Sequence, residues 1–212
     1  MIGYKLTSRH GVTGIRFGNR LQWGNNVTHS AIGSDFRLGE NGVIHWYKGP
    51  ELAIFMDPVH TGYGDCSRLW ECKIDGRSKI LTDGLKCGSK TVTTIREIKK
   101  PKISLEHRIY FAILCIRSVV PEGEEPEWDR WANDWINRDD HTYSVVRDCG
   151  FPLTKSAARA VVRVTYDTTN SALYAAALAT STGVEIDFAE LAHQAMEFEK
   201  LEVQKDENTK SP

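Results

Sequence analysis

In the first half of the chain, hydrophobic and polar residues alternate in short runs, a pattern typical of β-strands with one buried face. The alternation is clearest at residues 91–98, where Val92 and Thr94 share a face. Glycine-rich turns separate the runs, so the strands are predicted to be short and mostly antiparallel. The predicted strands are residues 2–7, 42–47, 68–74, 79–81 and 91–98.

A short helix is predicted to follow the second of these strands. Pro50 suits the first turn of a helix, because the N–H that proline lacks would have no partner there. The pair Asp57-Pro58 is predicted to end this helix, since the residue before a proline disfavours helical geometry.

After Pro101 the hydrophobic spacing changes to that of helices. Ser104 is predicted to cap the first helix, and Asp187 with Glu190 the last one. The pattern therefore predicts an α+β protein in which a short-stranded, mostly antiparallel, β-rich N-terminal half packs on a helical C-terminal half. Two further helices are predicted at residues 154–166 and 171–179. The predicted divisions are a β-rich domain at residues 1–100, a helical region at 101–203 and a disordered tail at 204–212.

Charge and composition narrow the classes of partner and of compartment. The chain has 27 basic and 28 acidic side chains, whereas proteins that bind phosphate backbones usually show a basic excess. No apolar run approaches the ~20 residues of a membrane-spanning helix, and the N-terminus lacks the features of a secretory signal. The five cysteines are not clustered into a disulfide framework. These features predict a cytoplasmic protein without membrane association, and they make nucleic acid an unfavoured partner.

The histidines and cysteines lack the spacing of a metal site. Cys66 and Cys72 are separated by five residues, His60 precedes Cys66 by six, and no second close pair follows. The sequence also contains no nucleophile elbow and no glycine loop of the kind that binds phosphate. It therefore predicts neither a metal nor a cofactor.

The densest group of potential functional side chains lies around predicted strand 42–47 and the helix after it. The residues predicted to bind a ligand are His45, Trp46, Tyr47 and His60. The aromatic rings are expected to stack on a planar group of that ligand. In the alternative interpretation, Trp46 fills the core while His45 faces solvent.

Three tryptophans recur at helical spacing in the second half, and they are predicted to contact a partner: Trp128, Trp131 and Trp135. Tryptophan is enriched among the residues that anchor protein interfaces. The acidic residues around them favour a protein partner over a nucleic acid. In the alternative interpretation, the three rings pack inside the chain.

A local basic cluster connects the two halves: Arg96, Lys99, Lys100 and Lys102. Such a cluster can contact nucleic acid. A solvated connection between a strand and a helix is the commoner outcome for a run of this kind.

Several segments follow one another in a characteristic order: the Gly-Tyr-Lys start, residues 42–47, the Pro-Leu-Ala-type helix with Asp57-Pro58, and residues 84–88, 95–97, 106–115 and 191–196. This order resembles that of a group of uncharacterised proteins encoded by bacteriophages and prophages. The alanine-rich tract of those proteins is weak in this chain. The resemblance implies phage origin and action in the host cytoplasm, and it implies no particular chemistry.

Two functions are open at this point. The first is a non-catalytic phage accessory protein that binds a host protein or a small signalling molecule, counter-defence being one such role. The second is an ADP-ribosyltransferase-like enzyme that uses NAD, a class whose compact, strand-rich fold the N-terminal half resembles. The residues that would serve this activity are His45, Tyr63 and either Glu71 or Glu97. The enzyme hypothesis requires these side chains to converge on one pocket.

Overall fold

The computed structural model describes residues 1–14, 20–61, 63–75, 79–119, 123, 126–137 and 184–198. The chain divides into two compact units, Met1–Lys102 and Ile103–Pro212. Antiparallel sheets occupy the N-terminal half and helices lie mainly after residue 100, which confirms the predicted α+β class. The packing of one half on the other stays a prediction. Three predicted segments lie outside the described residues: 154–166, 171–179 and 204–212.

The strands of the N-terminal unit are β1 (Ile2–Thr7), β2 (Val12–Thr13), β3 (Leu21–Gln22), β4 (Val27–Ser30), β5 (Ile44–Trp46), β6 (Arg68–Ile74), β7 (Ile80–Thr82), β8 (Cys87–Ser89) and β9 (Thr91–Ile98). They form a sheet in the order β1-β6-β9-β4, a second in the order β5-β8-β7, and a ribbon of β2 and β3. All these pairings are antiparallel. The predicted strands are confirmed to within two residues, whereas β2, β3, β4 and β8 were not predicted.

Buried tryptophans form much of the core of the N-terminal unit. Trp23 is 2% exposed, and Trp46 and Trp70 are 1% exposed. The indole N–H of Trp70 donates to Thr7 Oγ1 at 3.0 Å, and that of Trp46 donates to Ser89 Oγ at 3.1 Å. Burial of these rings therefore leaves their polar atoms hydrogen-bonded.

The helix after β5, α1 (Pro50–His60), begins as predicted. Gly49 is the extended N-cap residue and Pro50 is the first helical residue. One face of the helix is buried, and each of its four side chains is at most 1% exposed: Leu52, Ala53, Phe55 and Met56. Burial of that face is the main stabilising contribution for a helix of this length.

The predicted end of α1 at Asp57-Pro58 is wrong, because the helix continues to His60. The backbone N–H of Thr61 donates to the Asp57 carbonyl oxygen at 3.0 Å, and the N–H of Tyr63 donates to the Asp57 carboxylate at 3.1 Å. These hydrogen bonds and the buried face outweigh the local preference of a residue that precedes proline.

The helices described in the C-terminal unit are α2 (Leu105–Arg117), α3 (Pro126–Asn137) and α4 (Phe188–Met196). Ser104 caps α2: its Oγ accepts from the His107 N–H at 3.2 Å, and His107 Nδ1 accepts from the Ser104 N–H at 3.0 Å. Asp187 caps α4 by accepting from the N–H groups of Ala189 and Glu190. Ser104 and Asp187 are therefore confirmed as caps, whereas the Glu190 side chain accepts a hydrogen bond from Gln194 Nε2 at 3.0 Å instead of completing the predicted pair. Among the described helices, none is long and apolar enough to cross a bilayer.

Gly3 offers a test of the packing between β1 and the core. A Cβ at Gly3 would lie 2.5 Å from Trp46 Cε3, whereas a Cβ at Gly24 would meet Val27 Cγ2 at an ordinary 3.5 Å. Trp46 is buried and its indole N–H is bonded, so it has little room to move. Gly3→Ala is therefore expected to lower the free energy of unfolding by about 1–3 kcal/mol, as overpacking does.

Chemical denaturation of the two variants measures this difference. The matched change Gly24→Ala is expected to alter the free energy of unfolding by less than about 1 kcal/mol. Equal losses in the two variants would show that the contact between Gly3 and Trp46 does not restrict the core.

Candidate functional site

Strand β5 and the C-terminal end of α1 bring two histidines and a tyrosine together. Tyr47 Oη and His60 Nδ1 are 3.1 Å apart, and the two rings are nearly parallel, with 19° between their planes and 5.9 Å between their centroids. His45 lies close enough to His60 for the imidazoles to interact electrostatically. We call His45, Tyr47 and His60 the histidine–tyrosine cluster.

The alternation of β5 places His45 away from the core. Ile44 and Trp46 are 4% and 1% exposed, whereas His45 between them is half-buried. Tyr47 follows the strand, and its backbone forms two hydrogen bonds with that of Tyr4, at 2.7 and 2.8 Å. This pairing fixes the position from which the Tyr47 side chain reaches His60.

A backbone contact defines the tautomer of His45. The N–H of Gly39 donates to His45 Nε2 at 2.9 Å. Because a backbone N–H can only donate, Nε2 accepts and the ring proton lies on Nδ1. His45 is therefore a neutral imidazole that also anchors the loop before β5.

Both imidazoles are held in the neutral form. Burial lowers the pKa of His45 to about 4, and the charges of Lys5 and Lys86 add to the effect. Burial, assisted by Lys86, also lowers the pKa of His60 to about 4. At neutral pH the two rings therefore offer hydrogen-bond donors and acceptors without a charge.

The phenol of Tyr47 is likewise kept uncharged. Tyr47 is 3% exposed, and burial raises its pKa, with further increases from the nearby Asp57 and Asp83 carboxylates. Asp57 is itself 5% exposed and accepts hydrogen bonds from the Thr61 hydroxyl and the Tyr63 N–H. Tyr47 therefore stays a protonated hydrogen-bonding group instead of a base.

A buried lysine supports the cluster from the core side. Lys5 is 6% exposed, and its Nζ donates to the His45 carbonyl oxygen at 2.8 Å and lies 4.9 Å from the centroid of the Trp23 ring. Burial lowers the pKa of Lys5 to about 8. At neutral pH Lys5 therefore remains mostly an ammonium, and its charge disfavours protonation of His45.

The three buried thiols in the described residues do not add a reactive group to the cluster. Burial raises the pKa of Cys72 to about 12 and also raises the pKa of Cys87 and of Cys115. The thiolate, which is the nucleophile and the metal ligand, is thereby disfavoured at these positions. Within the described ranges, no group of three His, Cys, Asp or Glu side chains is placed to hold a metal ion.

Two of the predicted ligand-binding residues belong to the interior. Trp46 is 1% exposed and fills the core, so its ring face is not accessible to a planar ligand, and the alternative interpretation is correct for this residue. Tyr47 is 3% exposed and acts on the site through its hydroxyl. The accessible groups of the predicted set are the half-buried imidazoles of His45 and His60.

The two glutamates of the NAD hypothesis lie on opposite faces of the sheet, and each pairs with an arginine. Glu71 accepts a hydrogen bond from Arg96 Nε at 2.6 Å, and Glu97 forms an ion pair with Arg68. Glu71 aligns with Arg96 across β6 and β9, so Glu97, the next residue, lies on the opposite face of the sheet. Tyr63, by contrast, lies close enough to Tyr47 to affect the Tyr47 phenol.

The tryptophans predicted to contact a partner lie on α3. Trp131 and Trp135 are 4% and 2% exposed, and the Trp135 ring stacks on Phe198 with the centroids 5.2 Å apart. The packing alternative therefore holds for these two rings. The side chain of Trp128 lies outside the described residues.

Sequence reasoning missed three residues that act on the cluster electrostatically: Lys5, Asp83 and Lys86. The signal for Asp83 and Lys86 was the Asp83-Gly84 pair, which is typical of a hairpin turn, and Gly84 has a φ of +88° between β7 and β8. No local signal indicates that Lys5 is buried.

Comparisons with protein-family models, with curated proteins and with solved structures find no match for the chain. The chemistry of the described residues is therefore the basis on which a function can be assigned.

Lys5 predicts a dependence of stability on alkaline pH. Its pKa is about 8 in the folded chain against the ordinary lysine value of 10.5, so between these limits the unfolded chain binds more protons. Lys5 is therefore expected to add ~3 kcal/mol to the free energy of unfolding over this window. The buried thiols and Tyr47 act in the opposite direction, because their pKa values are raised, so the contribution of Lys5 is measured as the difference between wild type and a variant that lacks it. Urea denaturation of wild type and Lys5→Met from pH 7 to 11 measures the effect. The stability of wild type relative to the variant should rise with pH over this window, and equal slopes in both proteins would show that Lys5 makes no such contribution.

The low pKa values of the two histidines predict that the protein loses stability at acidic pH. His45 and His60 are expected to stay neutral down to about pH 4, whereas in the unfolded chain they protonate near 6.5. Stability is therefore expected to fall as the pH falls from about 6.5 to 4.

An NMR titration of the imidazole signals measures both pKa values directly. Lys86→Gln is expected to raise both, because it removes a charge that disfavours the imidazolium. Lys73→Gln, at an exposed lysine on β6, is the matched control and should raise neither. Titration of either wild-type histidine near 6.5 would contradict the burial of the cluster.

Proposed function

We propose that this chain is a phage accessory protein that acts in the host cytoplasm by binding a small signalling molecule or a host protein, without catalysing a reaction. Counter-defence is one role that such binding would serve. The phage assignment rests on the resemblance in the order of sequence segments. The binding assignment rests on one observation, the pair of half-buried, uncharged imidazoles at His45 and His60.

The protonation states of the cluster favour binding over catalysis. A general acid or base works best with a pKa near the working pH, whereas both histidines have a pKa of about 4. Burial raises the pKa of Tyr47, so the phenol does not supply a base either. A neutral hydrogen-bonding surface is suited to recognising a ligand by its donors and acceptors.

The surroundings of the cluster indicate the chemistry of its ligand. Asp83 and Lys86 carry opposite charges and both act on the histidines electrostatically. A ligand that has both hydrogen-bond donors and acceptors and little net charge fits a site with neutral histidines and two opposite charges beside them. Two imidazoles and one turn form a small contact area, so we favour a small molecule, with a host protein as the other outcome of the test.

No observation on the described residues favours the NAD alternative. Its acidic residues, Glu71 and Glu97, pair with arginines on opposite faces of the sheet. An oxocarbenium-like transition state requires such a carboxylate beside the other catalytic groups.

Native mass spectrometry of the protein isolated gently from producing bacterial cells tests the binding proposal. The wild-type mass is expected to exceed an integer number of chains by the mass of a retained ligand. His60→Ala is expected to lose this additional mass, because it removes an accessible imidazole of the cluster. His10→Ala, which removes an exposed imidazole of the same unit, is the matched control and should retain it.

The competing outcomes are distinct in the same experiment. An additional mass of protein size would assign the site to a host protein. Retention of the ligand by His60→Ala would place binding elsewhere on the chain. Integer mass for the wild type, together with turnover of NAD by the purified protein, would contradict a non-catalytic binding function.

A further inference from the structure

The N-terminal unit carries a surface groove of about 350 Å³. Its walls are the first turn of α1, through Pro50 and Glu51, and the chain at residues 98–102 that continues β9. This volume lies within the range of roughly 300–1,000 Å³ that is typical of small-ligand sites. Pro50 and Pro101 each have a restricted φ angle, which favours a groove that is formed before a ligand arrives.

The groove has a strong local excess of positive charge. Lys99, Lys100 and Lys102 line it against a single carboxylate, Glu51. This excess differs from the chain as a whole, whose formal net charge is −1. The charge is therefore concentrated at one place instead of being spread over the surface.

Lys100 is held in position by neutral groups. Its Nζ donates to the Asp65 backbone carbonyl at 2.5 Å and to Ser67 Oγ at 3.1 Å. Neither contact cancels the charge of the ammonium, and together they fix its location. A fixed, uncancelled ammonium costs less ordering entropy on binding than a freely rotating one.

Lys99 and Lys102 are exposed. In the part of the chain that the structure describes, the ion pairs are Arg37–Asp35, Arg68–Glu97 and Arg96–Glu71. All their cations are arginines, so neither lysine takes part in an ion pair. Both ammonium groups are therefore accessible to a ligand in the groove.

We propose that this groove binds the phosphate groups of a small anionic ligand. Several ammonium groups around one cavity suit the oxygens of a phosphate, which accept charge-assisted hydrogen bonds from more than one direction. A bounded groove suits a compact anion better than a nucleic-acid backbone, which requires an extended basic surface.

The groove and the histidine–tyrosine cluster are separate sites. Pro50 and His60 are the first and last residues of α1, so a rise of roughly 15 Å along the helix axis separates them. The phosphate proposal therefore does not depend on the proposed function of the cluster.

Titration with pyrophosphate at low ionic strength, followed by calorimetry and by NMR shifts of residues 98–102, tests the proposal. The wild type is expected to bind saturably. Lys99→Gln/Lys102→Gln should weaken binding by about tenfold or more, because it removes two charge-assisted contacts. Glu51→Gln should strengthen binding, since it removes the one repelling carboxylate.

Lys73→Gln is the matched control, because it also removes an exposed lysine. Lys73 aligns with Thr93 near the start of β9, whereas the groove lies at the other end of that strand. It should bind pyrophosphate within about twofold of wild type. Absence of saturable binding to the wild type would overturn the proposal, as would an equal loss in Lys73→Gln. Tighter binding of single-stranded oligonucleotides with increasing length would also overturn it, by assigning the lysines to a nucleic acid. All the substituted side chains are exposed or half-buried, so the variants are expected to fold, and thermal denaturation verifies this.

Discussion

The contact between β1 and the end of β5 is the interaction on which the small sheet of β5, β8 and β7 and the histidine–tyrosine cluster depend. Tyr4 and Tyr47 exchange two backbone hydrogen bonds, and Lys5 adds a third bond by donating to the His45 carbonyl oxygen. The small sheet of β5, β8 and β7 has three short strands, which give little stability without packing on another element. Its attachment to β1 also carries Tyr47 to the end of α1, and the cluster with His60 follows from that placement.

Burial and positive charge together determine the chemistry of the cluster. Lys86 lies near both histidines, and the buried Lys5 lies near His45. Protonating either imidazole would therefore place a second positive charge in a partly buried site, which is unfavourable. The resulting surface is neutral and hydrogen-bonding, which suits recognition more than proton transfer. The same physics makes the site sensitive to pH on both sides of neutrality, through different residues.

Helix α1 links the two sites described in this unit. Its buried face holds it against the sheet, so its two ends keep a constant separation. The C-terminal end carries His60, which is hydrogen-bonded to Tyr47. The first turn forms a wall of the groove that Lys99, Lys100 and Lys102 line. The two proposed sites at the opposite ends of α1 would recognise different ligands, because the histidines at one end are uncharged and the groove at the other concentrates positive charge.

Local sequence determined most of the longer elements, because alternation and capping depend on neighbours along the chain. Strands 68–74 and 91–98 and the cap at Ser104 could be predicted for that reason. His45 and His60 could also be named as candidate site residues, from the density of functional residue types around them. Tertiary structure decided what depends on distant partners: the burial of Trp46, the extension of α1 past Pro58, and the separation of the two glutamates by the register of β6 and β9. The physical reason is that burial and register arise from contacts between residues far apart in sequence, which no local pattern encodes.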